Sequence, residues 1–215
     1  MKRRFALAAA VIAALTAGAT YAATALTRTA AATNVVQACV KVPNGDVRIV
    51  DGGLKKWRAE GRSMESGEVK AKPTAFKAGY DARRVRSIQQ MIANVESRAE
   101  QVIDARAGER FEGRGVEPRP GLRSGHIPGA RSLPYGNLFD ATTGAMKQLD
   151  ELRKAFVGAG VDMARPIVTS CGSGVSAAVL TLALYRLGVE NTALYDGSWA
   201  EWGAPDGPPV ATGPA

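Results

Sequence analysis

Cysteine and histidine are scarce in this chain of 215 residues, which holds two cysteines, Cys39 and Cys171, and one histidine, His126. Two cysteines make neither a disulfide framework nor a metal site, and one histidine excludes a His-rich metal cluster. No metal is expected, and no motif calls for a cofactor. Aromatic residues are few, at 6%, while the apolar content of 46% is ordinary and owes much to alanine in the first 32 residues. The net charge is +8, but it is not gathered in blocks: Lys2, Arg3 and Arg4 supply three charges and the rest are scattered. A basic surface without a nucleic-acid motif gives no reason to expect nucleic acid. Attraction of a small anionic substrate is the more economical reading.

What the chain does have is one turn built for chemistry. Ile167-Val168-Thr169, after Pro166, is a short β-branched run with the pattern of a buried strand. Val175 to Leu187 is apolar nearly all round, holds no Gly or Pro, and stops at Gly188, so it predicts a buried helix. Between them Cys171 sits in a loop of small residues, Gly172, Ser173 and Gly174. Strand, tight loop and helix start bring successive backbone N–H groups to the sulfur, which favours an anion there and makes Cys171 a nucleophile at neutral pH. Most free cysteines are inert packing residues. A strand-to-helix turn of small residues is, however, a poor place to pack one.

Taken in order, residues 1–25 have the form of an export signal: a basic start, an apolar run from Phe5 to Leu15, and Ala23-Thr24-Ala25 as a cleavage site. The uncharged run is only weakly hydrophobic, so a membrane is a partner only if this segment stays uncleaved. The segment predicts export to the periplasm or medium; the alternative, a misassigned start on a cytoplasmic protein, stays open. Residues 26–45 are polar, small and unassigned, with weak strand character around Val35-Val36 and Cys39-Val40. A weak internal repeat follows. Val50-Asp51-Gly52 with Trp57 matches Tyr195-Asp196-Gly197 with Trp202, each Trp standing six residues after its Asp. One repeat unit ends at each place, but the first lacks most of a body. Residues 46–73 are therefore the end of a first domain, 74–86 a linker, 87–204 a full domain, and 205–215, with four prolines, a disordered tail. Within the full domain, Ser87-Ile88-Gln89-Gln90 is a capping box opening a helix, Gln101 to Ala105 a strand, and Asp150 to Ala159 an amphipathic helix. Gly108 to Pro134 is the kind of long irregular loop that carries function. Alternating strands and helices give an α/β fold, a parallel sheet with helices on both faces.

The string Thr169-Ser170-Cys171-Gly172-Ser173-Gly174-Val175-Ser176-Ala177 resembles the active-site loop of rhodanese-type sulfurtransferases, and Cys-Gly-Ser-Gly-Val resembles the 3-mercaptopyruvate branch. With Arg110-Phe111, Pro118-Arg119 and Gly125-His126-Ile127-Pro128-Gly129-Ala130, the resemblance runs from about Asp46 to Gly203. It implies a rhodanese-like fold with one complete domain and the remnant of a first. It also implies a sulfurtransferase in which Cys171 takes sulfur from a small anionic donor as a persulfide and hands it to a thiol acceptor, a thioredoxin-like protein or a small thiol. By residue match, Arg110 and Arg119 hold the substrate carboxylate, a role suited to the guanidinium fork. Gly172, Gly174, Val175 and Ser176 line the loop, and Ser176 stands where threonine is usual. Ser173 is implied to help protonate the departing enolate, although its implied partners belong to a first-domain body absent from this chain. His126 in its turn is structural, and Arg106 and Arg123 are assigned to structure as well. Thiosulfate-preferring relatives carry cationic residues after the cysteine, whereas Gly172 and Ser173 are neutral. A cysteine phosphatase needs arginine at the position of Ala177 and is excluded. Two alternatives stand beside the 3-mercaptopyruvate reading: a thiosulfate sulfurtransferase, and a truncated remnant that only binds or carries sulfur.

Overall fold

The computed structural model describes residues 39–41, 47–64, 66 and 80–215. The signal-like segment lies outside these residues, as does most of the 65–80 run. The described residues fall into two units.

The first unit comprises the described residues through Tyr80 together with Phe139–Met146. Strands β1 (Cys39–Lys41) and β2 (Val47–Ile49) pair antiparallel, with Val40 opposite Arg48, and helix α1 spans Gly53–Ala59. Strand character around Cys39-Val40 was thus legible, though it falls in the stretch left unassigned. Phe139–Met146 comes from inside the region expected to form one continuous domain. Its Met146 N–H donates to Asp51 Oδ1 at 2.8 Å, which ties it to the residue that follows Val50.

The second unit covers Asp81–Leu138 and Lys147–Ala215. Its sheet has five parallel strands in the order β3-β7-β6-β4-β5, where β3 is Val85–Arg86, β4 Gln101–Asp104, β5 Arg131–Ser132, β6 Ile167–Ser170 and β7 Thr192–Tyr195. The helices are α2 (Ile88–Ser97), α3 (Gly108–Phe111), α4 (Leu149–Gly158), α5 (Val175–Arg186) and α6 (Ser198–Trp202). The capping box opens α2, with Ser87 accepting from the Gln90 N–H while the Gln90 side chain accepts from the Ser87 N–H. β4 and β6 are buried at every position, as β-branched central strands must be when helices cover both faces. Alternation along β6 sorts those faces. Val168 packs in a cluster with Met91 of α2 and with Trp199 and Trp202 of α6, whereas Thr169 meets Thr181 of α5 through their hydroxyls at 2.8 Å.

Two expected boundaries are corrected. Residues 81–86 are not linker. Val85 pairs with Leu194, and the Arg86 fork clasps Glu100 at 2.7 and 2.8 Å, so the edge of the sheet begins there. Nor is 205–215 a disordered tail. Trp202 Nε1 donates to the Pro209 carbonyl at 2.9 Å, Arg123 Nη2 to that of Pro208 at 2.7 Å, and Ala211 bridges His126. Composition suggested disorder because proline brings no N–H; the fold uses its carbonyls as acceptors instead.

Candidate active site

The C-terminal ends of β4, β6 and β7 converge where parallel sheets place their sites. Cys171 follows β6 directly. The turn reaches α5 through Gly174, at φ 81, a left-handed cap that glycine enters without strain. The N–H of Ser173 donates to Cys171 Sγ at 3.4 Å. The N–H groups of Cys171 and Gly174 do not turn to the sulfur, and both go to Ser198 Oγ at 3.1 Å. Gly174 therefore shapes the turn. From the head of α6, Trp199 N–H and Ala200 N–H donate to the carbonyls of Cys171 and Gly172 at 2.9 and 3.0 Å. Cys171 is 1% exposed. Nothing in the local sequence foretells that burial. Gly172, Ser173 and Ser176 around it are half-buried, and Val175 is exposed.

Two guanidinium groups reach the same glycine. Arg119 Nη1 donates to the Gly172 carbonyl at 2.9 Å. A Cβ placed on Gly172 would stand 3.4 Å from Arg110 Nη2. Arg110 is aimed by Glu117, which accepts from its Nη2 at 2.6 Å and its Nε at 3.3 Å. Glu117 also takes Arg106 Nη1 at 2.9 Å, and Arg106 forks onto Asp104 at the end of β4.

A model of the family described as "Rhodanese-like domain" matches residues 87–205. The chain belongs to the rhodanese-like family. Among relatives, the 3-mercaptopyruvate sulfurtransferase of Escherichia coli K12 is 44% identical over 158 residues, covering 74% of this chain and 56% of that protein. The human 3-mercaptopyruvate sulfurtransferase is 38% identical, covering 73% and 52%. A crystal structure of the E. coli 3-mercaptopyruvate sulfotransferase SseA superposes with a TM-score of 0.61 at 40% identity, covering 69% of this chain and 55% of that one. The chain thus spans about half the length of the curated relatives it matches.

The rest of the rhodanese domain supports this site without touching the sulfur. His126 stacks on Phe111, with centroids 3.7 Å apart, and its Nδ1 pairs with the Phe111 carbonyl at 2.8 Å, which fixes the proton on Nδ1. Burial holds its pKa below the ordinary imidazole value. Arg106, its guanidinium 4.2 Å from the Trp199 ring centre, is buried in its ion pairs, and Arg123 donates to carbonyls of Trp202 and Pro208. Sequence reasoning missed three residues: Glu117, Ser198 and Asp196. An Asp196 oxygen would lie 2.7 Å from a Cβ on Gly174, and burial, then the nearby Glu201, raises its carboxyl pKa. Glu117 could have been found from its place between Arg110 and Arg119, and Ser198 from its place two residues after Asp196.

Proposed function

We propose that this chain is a sulfurtransferase that moves sulfur from 3-mercaptopyruvate to a thiol acceptor through a persulfide on Cys171. The single observation that carries the reading is the meeting of Arg110 and Arg119 at Gly172, next to the cysteine. Two forks beside a nucleophile suit a substrate with a carboxylate near the atom under attack. Arg119 rests on a neutral carbonyl, that of Gly172. An arriving carboxylate offers it charge-assisted bonds, roughly twice as strong as neutral ones.

In the first half-reaction the Cys171 thiolate attacks the donor sulfur, forming an S–S bond. The C–S bond breaks with its electron pair left on carbon, as the enolate of pyruvate, which then takes a proton. Ser173 stands next but one to the nucleophile and is half-buried, which supports a role in that transfer. In the second half-reaction an acceptor thiolate attacks the outer sulfur and frees the Cys171 thiolate. The Ser173 N–H, which donates to Cys171 Sγ at 3.4 Å, supports stabilisation of the anionic sulfur in both halves. Two half-reactions through a covalent intermediate make ping-pong kinetics the expectation.

The test is pyruvate release by the purified chain, beside a Cys171→Ser control. Pyruvate that depends on Cys171, with a one-sulfur mass increase on that residue, supports the reading. A sulfur adduct without pyruvate would leave only a sulfur carrier. Faster turnover of thiosulfate than of 3-mercaptopyruvate would move the donor assignment to thiosulfate.

A further inference from the structure

The two Asp-Gly strings differ at a position whose side chain hydrogen-bonds the nucleophile turn. Resting on the sulfurtransferase reading of Cys171, we propose that Ser198 is a positioning residue. Its hydroxyl holds the Cys171 turn in the shape that presents the Ser173 N–H to the sulfur.

Aligning Val50–Trp57 with Tyr195–Trp202 sets Gly53 opposite Ser198. Both backbones are left-handed, at φ 56 and φ 48. Glycine enters this region freely, whereas a residue with a Cβ is strained there and persists only where its surroundings demand it. In the first repeat the Gly53 N–H donates to the Val50 carbonyl at 2.9 Å. In the second, the matching carbonyl, that of Tyr195, is taken by the Ser198 hydroxyl at 2.7 Å. A side chain has replaced a backbone bond, and its oxygen keeps two lone pairs. Those accept the N–H groups of Cys171 and Gly174, each at 3.1 Å. One atom therefore ties both ends of the turn to the end of β7. Ser198 is 0% exposed, so solvent does not supply these acceptors in its place.

The neighbours of Ser198 complete the effect. Trp199 and Ala200 draw the carbonyls of Cys171 and Gly172 toward α6. With those carbonyls engaged, the turn offers the sulfur a donor, the Ser173 N–H at 3.4 Å. A strained serine stands where the first repeat, which faces no cysteine turn among the described residues, uses glycine. Its three hydrogen bonds to the turn and to β7 account for it.

The test compares Ser198→Gly with the parent as full chains. Glycine accepts the left-handed backbone, so this variant removes the hydroxyl while relieving strain. Two readouts are followed: hydrogen exchange of the Cys171 and Gly174 amides, and kcat and KM for pyruvate release from 3-mercaptopyruvate. The expected result is a folded chain by its thermal melt, lost protection at those two amides, and kcat down about tenfold with KM unchanged. Parent-like protection, or parent-like kcat, overturns the proposal. If Ser198→Gly does not fold, Ser198→Ala takes its place with the same outcomes. A parent that releases no pyruvate defeats the 3-mercaptopyruvate reading alone. Amide exchange then decides the role of Ser198, lost protection confined to the turn supporting it and unchanged protection overturning it.

Discussion

Arg110 and Arg119 flank the same glycine, but their anchors differ in kind. Arg110 is forked onto Glu117, whose side chain is 3% exposed and also binds Arg106, itself 1% exposed. Arg119 is exposed and holds the Gly172 carbonyl, an uncharged partner. Removing an exposed arginine costs the fold little, since exposed polar contacts are nearly balanced by water. Removing the charge of Glu117 takes from Arg110 its ion-pair partner and from the buried Arg106 one of its two, leaving it Asp104, and breaking a buried ion pair costs about 3–5 kcal/mol. Arg119→Ala is therefore expected to leave the melting temperature near that of the parent. Its KM for 3-mercaptopyruvate should rise about 10–100-fold, the worth of a hydrogen bond to a charged group. Glu117→Gln should instead lower the melting temperature by many degrees. Steady-state kinetics beside thermal melts of both variants check the contrast; equal melting temperatures would mean that Glu117 does not carry the charge balance of the pair.

At the scale of elements, the strand-turn-helix of 167–186 is the part the amino-acid sequence describes best. A β-branched run after Pro166, a loop of small residues and an uninterrupted apolar run each have one reading, and β6 and α5 form where those readings put them. Two-residue strands such as β3 and β5 carry no periodicity, so they were illegible as strands. Val85-Arg86 becomes one only because β7 and Glu100 are there to meet it. Cys171 was legible from its strand-turn-helix pattern and Arg110 and Arg119 from the resemblance of their motifs, while Ser198 acts through contacts spanning 24 to 27 residues that no local pattern encodes. The same turn fixes a prediction. Gly174 combines φ 81 with an Asp196 oxygen 2.7 Å from where a Cβ would be. Gly174→Ala should lose about 1–2 kcal/mol to left-handed strain alone, and more as Asp196 is displaced. A melting temperature several degrees below that of the parent is expected; an unchanged melt would mean that the turn adopts another backbone at no cost.

At the scale of the whole molecule, the last eleven residues are a structural strap and not a tail. Their prolines are already restricted in φ, so ordering them costs less conformational entropy than ordering a flexible chain. They supply carbonyls to buried donors: Pro209 to Trp202 Nε1 at 2.9 Å, and Pro208 to Arg123 Nη2 at 2.7 Å, a second acceptor beside the Trp202 carbonyl at 2.9 Å. His126 and Ala211 exchange backbone hydrogen bonds at 2.8 and 3.0 Å, and Gly213 N–H closes onto the Glu112 carbonyl at 2.9 Å. The approach is so close that a Cβ on Gly125 would overlap the Ala211 carbonyl oxygen, and Val210 packs on the core cluster. A chain ending at Pro205 would leave Trp202 Nε1, Arg123 and His126 N–H without these acceptors. At about 1–3 kcal/mol for each buried group left unpaired, the loss is on the order of 3–5 kcal/mol, a large part of the 5–15 kcal/mol by which a domain is usually stable. Such a chain is expected to melt far below the parent and to release its His126 amide, which donates to the Ala211 carbonyl, to fast hydrogen exchange. A shortened chain with the parent's melting temperature would return this segment to the disordered tail that its composition suggests.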